Sequence, residues 1–146
     1  MCVDNCLIFA RDNKTIDEAL KGLRAKHDLD ELEMERDAHA HLGIEINLKG
    51  EQVELLQTGL TDKILKKVGI KDSSNCCLTP AKENFLTADV NGKPFNEEWE
   101  CASVMGMLMY LVHARPDIQF AVHQCAKFTH NPKQCHANVI KMICRY

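Results

Sequence analysis

Asp4, within Cys2-Val3-Asp4-Asn5-Cys6-Leu7-Ile8-Phe9, is the side chain whose type and setting point most directly to chemistry. An acidic residue at a tight polar step, between an apolar entry and a β-prone run, predicts a short turn leading into a buried strand. Such a turn holds a carboxylate still, which suits Mg²⁺, a hard ion that takes oxygen ligands at fixed geometry. A paired metal site then stabilises both the attacking and the leaving oxygen of a nucleotidyl transfer. Asp4 is thus the candidate catalytic residue and metal ligand. Asn5 is the degenerate neighbour. Its neutral amide removes a unit of negative charge from any site built on two carboxylates, worth about 4 kcal/mol per unit-charge pair at ~4 Å and intermediate dielectric. Asp and Asn also favour turns on their own account, and the octapeptide alone speaks for that plainer role.

The elements that would position this turn can be read along the chain. After the run Cys6 to Ala10, Thr15 and Glu18 fit a capping box, and Ile16, Ala19, Leu20 and Leu23 recur with helical period to about His27, which predicts a stripe packed on the core. The acidic run 28–37 reads as a solvated connector. Leu42, Ile44, Ile46 and Leu48 alternate, Lys49-Gly50-Glu51 supplies a turn, and Val53 and Leu55 resume, which predicts a β-hairpin. Gly43 falls inside its first strand, as a bulge or as a place where another backbone comes close.

Leu60, Ile64, Leu65 and Val68 then share a helix face, with Lys63, Lys66, Lys67 and Lys71 on or near the other side and Gly69 as the stop. Those lysines keep a helix soluble or touch a phosphate backbone. Residues 72–98 hold Ser73, Ser74, Asn75, Pro80, Gly92 and Pro94 and read as a long surface connection. The last part is helical. Trp99, Ala102, Met105 and Met109 predict a buried stripe, with Gly106 allowing close approach. Pro116 opens a second helix, followed by Ile118, Ala121, Val122 and Cys125. Asn131 is expected to cap a third, with Pro132 at its first position and Ile140 and Cys144 on one face. Met105, Met107, Met109 and Met142 are expected as core filling.

A chain of 146 residues, 45% hydrophobic and 27% charged, fits one α+β domain with a real core. It has no apolar run of membrane-spanning length, and its first residues lack a signal-peptide pattern, so an intracellular protein, cytoplasmic or nuclear and not secreted, is expected. The eight cysteines carry no paired zinc-ligand spacing and are read as free thiols. Net charge is −3, yet residues 100–146 hold five Lys or Arg against two acidic residues, a mildly basic third.

Taken together, several of these pieces resemble the reverse transcriptase of copia-type LTR retrotransposons. Cys2-Val3-Asp4-Asn5 occupies the place of that family's Tyr-Val-Asp-Asp, and Cys6-Leu7-Ile8-Phe9 resembles the strand after it. His41-Leu42-Gly43-Ile44-Glu45-Ile46 is similar to the family's Leu-Gly-Ile strand, and Thr79-Pro80-Ala81 to its Thr-Pro step. Val104 to Leu111, then Ala114-Arg115-Pro116-Asp117-Ile118 and Phe120 to Gln124, resemble its most recognisable block, which Pro132, His136 and Arg145-Tyr146 continue. The order and spacing of four separate motifs make the resemblance specific.

The resemblance implies part of a right-hand polymerase in a Pol polyprotein. Residues 1–57 would be the end of the palm with a primer-grip-like hairpin, 58–72 a thumb-like helix, 73–98 a linker and 99–146 a connection-like group of about three helices. It implies Mg²⁺ on Asp4, an RNA or DNA template-primer as partner, and Gly43, Lys63, Lys66 and Lys67 as nucleic-acid contacts. The departures imply inactivity: Asn5 and Cys2 replace the family's second aspartate and tyrosine, and fingers, early palm and ribonuclease H motifs have no counterpart here. The expectation is a degenerate copy of an RNA-directed DNA polymerase, with a non-catalytic nucleic-acid-binding module or a structural remnant as the alternative.

Overall fold

The computed structural model describes residues 7–27, 39–71, 76–81 and 86–146. Five helices and three strands follow in the order α1 (Asn13–His27), β1 (Ala40–His41), β2 (Ile44–Lys49), β3 (Gln52–Leu56), α2 (Thr58–Val68), α3 (Cys101–Leu111), α4 (Gln119–Ala126) and α5 (Gln134–Ile143), with a short 3-10 turn at Pro116–Ile118 ahead of α4. The chain divides into two compact units, residues 1–54 and 55–146.

In the first unit the buried strand expected after Asp4 is not formed by its described part. Residues 7–10 take no regular structure and Phe9 is 78% exposed. A strand needs a hydrogen-bonded neighbour, and the described sheet, β1-β2-β3, has no place filled by this segment. Helix α1 forms where its period predicts, but Asp12 caps it and not a box on Thr15. The Asp12 carboxylate accepts from the Thr15 backbone N–H at 2.8 Å and from its hydroxyl at 3.0 Å, and those bonds hold the carboxyl below the usual range. The stripe expected in the core is not buried: Ile16 and Leu20 are half-covered and Leu23 is exposed. Amphipathic period fixes which face a helix offers, not whether anything covers it.

Gly43 is placed differently from its sequence reading. Leu42 and Gly43, with φ of 48° and 78°, are the two turn residues between β1 and β2, whose register pairs His41 with Ile44. Positive φ at both central positions is the turn that matches the twist of paired strands. The expected single hairpin is therefore a three-stranded meander, its second turn marked by Gly50 at φ 63°. Among the described residues nothing lies within 4 Å of where a Gly43 side chain would begin, and its left-handed φ is a backbone demand that glycine meets at no steric cost.

The second unit holds the core. Helix α2 buries Ile64 and Val68 and ends at Gly69, whose left-handed φ of 75° lets Ile70 N–H reach back to the Leu65 carbonyl at 3.0 Å. Helix α3 buries Cys101, Val104, Met105, Leu108 and Leu111, so the stripe is rotated from the expected one, with Ala102 and Met109 outside. An uncharged helix gives periodicity little contrast to work with. Among the described residues nothing lies within 4 Å of where a Gly106 side chain would begin. Of the four methionines expected as filling, Met105 is buried and Met107 and Met142 are half-covered, whereas Met109 is exposed. Pro116 opens the 3-10 turn as predicted, and Ile118, Ala121, Val122 and Cys125 are all buried. Helix α5 begins two residues later than expected, capped through Lys133 and not Asn131, and buries His136, Ala137, Ile140 and Ile143.

The connection before α3 is irregular but pinned. Lys93 and Pro94 pair with the start of α5, the Gln134 backbone N–H donating to the Lys93 carbonyl at 3.0 Å. Phe95 packs edge-on against Trp99, ring centroids 5.0 Å apart. All six described cysteines are free, consistent with their reading as thiols.

Candidate functional site

Asp4 and Asn5 lie outside the described residues. Among those that are described, no group of three or more His, Cys, Asp or Glu side chains could hold a metal ion, so these residues by themselves fit no Mg²⁺ site. Gly43 sits in the β1–β2 turn of the first unit and the three lysines on α2 of the second.

On α2, Ile64 and Val68 set the buried row, and Lys63, Lys66 and Lys67 are all exposed. They are not equivalent. Lys66 stands opposite the buried row, whereas Lys63 and Lys67, four residues apart, form one row on the flank that meets α3. Lys67 Nζ donates to Ser103 Oγ at 2.7 Å. Thr61 in the first half of α2 and Leu65 nearer its end share a small cleft with Leu108 and Leu111 of α3. The cleft, about 50 Å³, is also lined by Arg115, Ile118, Ile143 and Tyr146. At the head of α2, Gln57 is 4% exposed and neither atom of its amide has a hydrogen-bond partner.

Two polar clusters that pattern reading passed over fix this unit. Arg115 grips Asp117 with two donors, Nε at 3.0 Å to Oδ1 and Nη2 at 2.8 Å to Oδ2, and its guanidinium lies 5.5 Å from the Tyr146 ring centre. The guanidinium bonds hold the Asp117 carboxyl below its ordinary range, and the carboxylate raises Arg115 in turn. Both side chains are more than a third exposed, so solvent screens much of this gain. The Arg-x-Asp spacing across a proline was the available signal.

The second cluster ties residues 87–97 to α5. His136, 1% exposed, accepts the Lys133 backbone N–H on Nδ1 and donates from Nε2 to the Thr87 carbonyl, each at 2.8 Å. Its ring stacks on Phe128 at 4.5 Å. Gln134 donates to Glu97 Oε1 at 2.8 Å while its own carbonyl accepts Asn96 N–H at 3.1 Å, and Lys141 pairs with Glu97 Oε2 at 2.6 Å. Burial pushes the Glu97 carboxyl up, but hydrogen bonds from Lys141 and Gln134 outweigh it and leave the group below its ordinary value. Nothing in local periodicity pairs Glu97 with residues some forty positions away. These groups are saturated by one another, which is what positioning residues need and what a reacting group avoids.

Among known proteins the chain is similar, over 144 residues and 99% of its length, to two retrovirus-related Pol polyproteins of Arabidopsis thaliana. Identity is 28% to the polyprotein from transposon RE2 and 26% to that from transposon RE1. An uncharacterized mitochondrial protein of the same plant is 26% identical over the same length. The chain spans 10% of each polyprotein and 58% of the mitochondrial protein. No family model and no solved structure matches it. The chain is thus similar to Pol polyproteins of transposons, which agrees with the Pol-polyprotein part of the resemblance drawn from its motifs. No helix among the described residues is long and apolar enough to cross a membrane.

Proposed function

We propose that this chain derives from the RNA-directed DNA polymerase part of a copia-type Pol polyprotein and that these 146 residues do not polymerise by themselves. The end-to-end similarity to transposon Pol polyproteins supports the descent. The observation that carries the inactivity is the sequence Asp4-Asn5, where the family pattern has two aspartates. In-line transfer needs two cations gripping the attacking and leaving oxygens, and each cation needs carboxylates converging on it. A carboxamide oxygen is neutral and cannot supply that charge.

On this reading the β1–β3 meander, with Leu42-Gly43 at its first turn, is a primer-grip-like element, α2 is thumb-like, and α3 to α5 form a connection-like group. The chain keeps a scaffold of the polymerase without its chemistry. Purified protein incubated with a primed RNA template, deoxynucleotides and Mg²⁺ or Mn²⁺ is expected to yield no extended primer, beside a competent polymerase as positive control. Extension above the no-protein background, abolished by Asp4→Ala, would refute the inactivity.

A further inference from the structure

Residues 87–92 lead the chain towards its docking on α5, and a labile dipeptide lies among them. Asn91 is the one asparagine of this sequence that precedes a glycine, and no aspartate precedes one. Asp89, Val90, Asn91 and Gly92 form a turn in which the Gly92 backbone N–H donates to the Asp89 carbonyl at 2.8 Å. The turn stands in solvent, with Asp89, Val90 and Asn91 exposed and Gly92 half-buried. Its glycine has no ready substitute, because the Asp89 carboxylate fills the place where a Gly92 side chain would begin. Asp89 itself holds a φ of 43°, a left-handed value uncommon outside glycine. The turn thus keeps glycine directly after Asn91.

That succession has a chemistry. Glycine carries no β-carbon to shield its nitrogen or restrict its backbone, so the Gly92 nitrogen has access to the side-chain amide carbon of Asn91. A bond forms between Gly92 N and Asn91 Cγ, the Asn91 Cγ–Nδ2 bond breaks, and ammonia leaves with the proton of the Gly92 amide. Water then opens the cyclic imide. Opening at Cγ gives aspartate, and opening at the backbone carbonyl gives isoaspartate, in which the main chain runs through Cβ and gains a carbon. No oxidant, cofactor or enzyme enters the balance. The hydrogen bond to Asp89 holds the attacking nitrogen back, but a single bond in an exposed turn opens by local fluctuation.

The consequence falls on the residues that follow. Gln134 is the first residue of α5, so its backbone N–H has no partner within the helix and is held instead by the Lys93 carbonyl at 3.0 Å. Pro94 bridges to Lys133, and the Asn96 N–H donates to the Gln134 side chain at 3.1 Å. An added main-chain carbon two residues before Lys93 moves its carbonyl off this donor, whereas a plain aspartate leaves the main chain as it was.

We propose that Asn91 is a self-modifying site of the folded chain, and that its conversion to isoaspartate releases residues 93–96 from the start of α5. The proposal is independent of any polymerase descent.

The test incubates the whole purified chain at mildly alkaline pH and follows each asparagine by peptide mapping and mass spectrometry, with isoaspartate counted by enzymatic methylation. Asn91 is expected to convert about tenfold faster than Asn47 and Asn96, which are also exposed but precede larger residues, with isoaspartate as the major product. In urea the rate should rise about fivefold, the factor for freeing one hydrogen bond. Asn91→Gln, whose longer side chain has to close a larger ring, should lose the reaction. Hydrogen exchange of the Gln134 amide reads the release: about tenfold faster in the isoaspartyl chain than in the fresh one, and unchanged in Asn91→Asp. Conversion of Asn91 no faster than that of Asn47 and Asn96, or conversion in urea alone, would overturn the site. Isoaspartate formed with Gln134 exchange unchanged, or exchange equally fast in Asn91→Asp, would overturn the release.

Discussion

Replacing His136 with alanine is expected to cost roughly 3–5 kcal/mol, the range for deleting a fully buried ring. The physical reason is threefold. The ring is 1% exposed and stacked on Phe128, so its removal leaves a void that the surrounding helices fill only in part. The Lys133 N–H loses its acceptor and the Thr87 carbonyl its donor, and each group left dry and unpaired costs ~1–3 kcal/mol where water cannot reach it. The connection before α3 also loses one of its ties to α5. Against a net stability of about 5–15 kcal/mol for a domain this is a large fraction. Urea denaturation followed by circular dichroism reads it as a lower midpoint at unchanged slope. A cost below about 1 kcal/mol would mean that Gln134 and Glu97 hold that segment without His136.

The second large effect belongs to Lys141. Its ammonium pairs with a Glu97 carboxylate that is only 12% exposed. Lys141→Met keeps most of the side-chain volume but strips a covered anion of its partner, and breaking one side of such a pair costs about 3 kcal/mol. The effect has a definite pH dependence. Glu97 sits below its ordinary value in the folded protein, so its contribution is complete above the unfolded-state value near 4.5 and is lost as pH falls through the lower folded value. In Lys141→Met the attraction is gone and the Gln134 hydrogen bond is left to oppose burial without it, so the folded value moves up. The gap in stability between the two proteins is therefore widest near neutrality and narrows in acid. Melting curves from pH 7 down to the acid limit measure this, and a gap independent of pH would assign the loss to packing.

Much of the second unit was legible because its signals are local. The αL stop at Gly69, Pro116 opening a helix, and the buried set Ile118, Ala121, Val122 and Cys125 each depend on a few neighbouring residues and on period. The stripe of α3 was not legible, because a helix without charges offers no polar face to orient by. The cap of α5 was misread for a related reason: Asn131 and Pro132 make the stronger local pattern, but the docking of Lys93 and Pro94 onto residues 133 and 134 moved the start. Gly43 was taken for a strand residue because Leu42 beside it looks like one. A leucine at φ 48° is uncommon, and no propensity announces it. Of the candidate site, the lysines of α2 could be read from sequence as a group, but only the contact between Lys67 and Ser103 sets one of them against α3.

One feature of the packed helices bears on how this chain responds to oxidants. Burial pushes the thiols of Cys125 and Cys144 up to about 12 and that of Cys101 upward as well, so at neutral pH these sulfurs are almost wholly protonated and poor nucleophiles. Exposed Cys76 is free of that burial. An electrophile added to intact molecules therefore finds the buried sulfurs of Cys101 and Cys125 closed to it, and they become reactive only when the bundle comes apart, so that sulfur modified there is a tally of molecules that have opened.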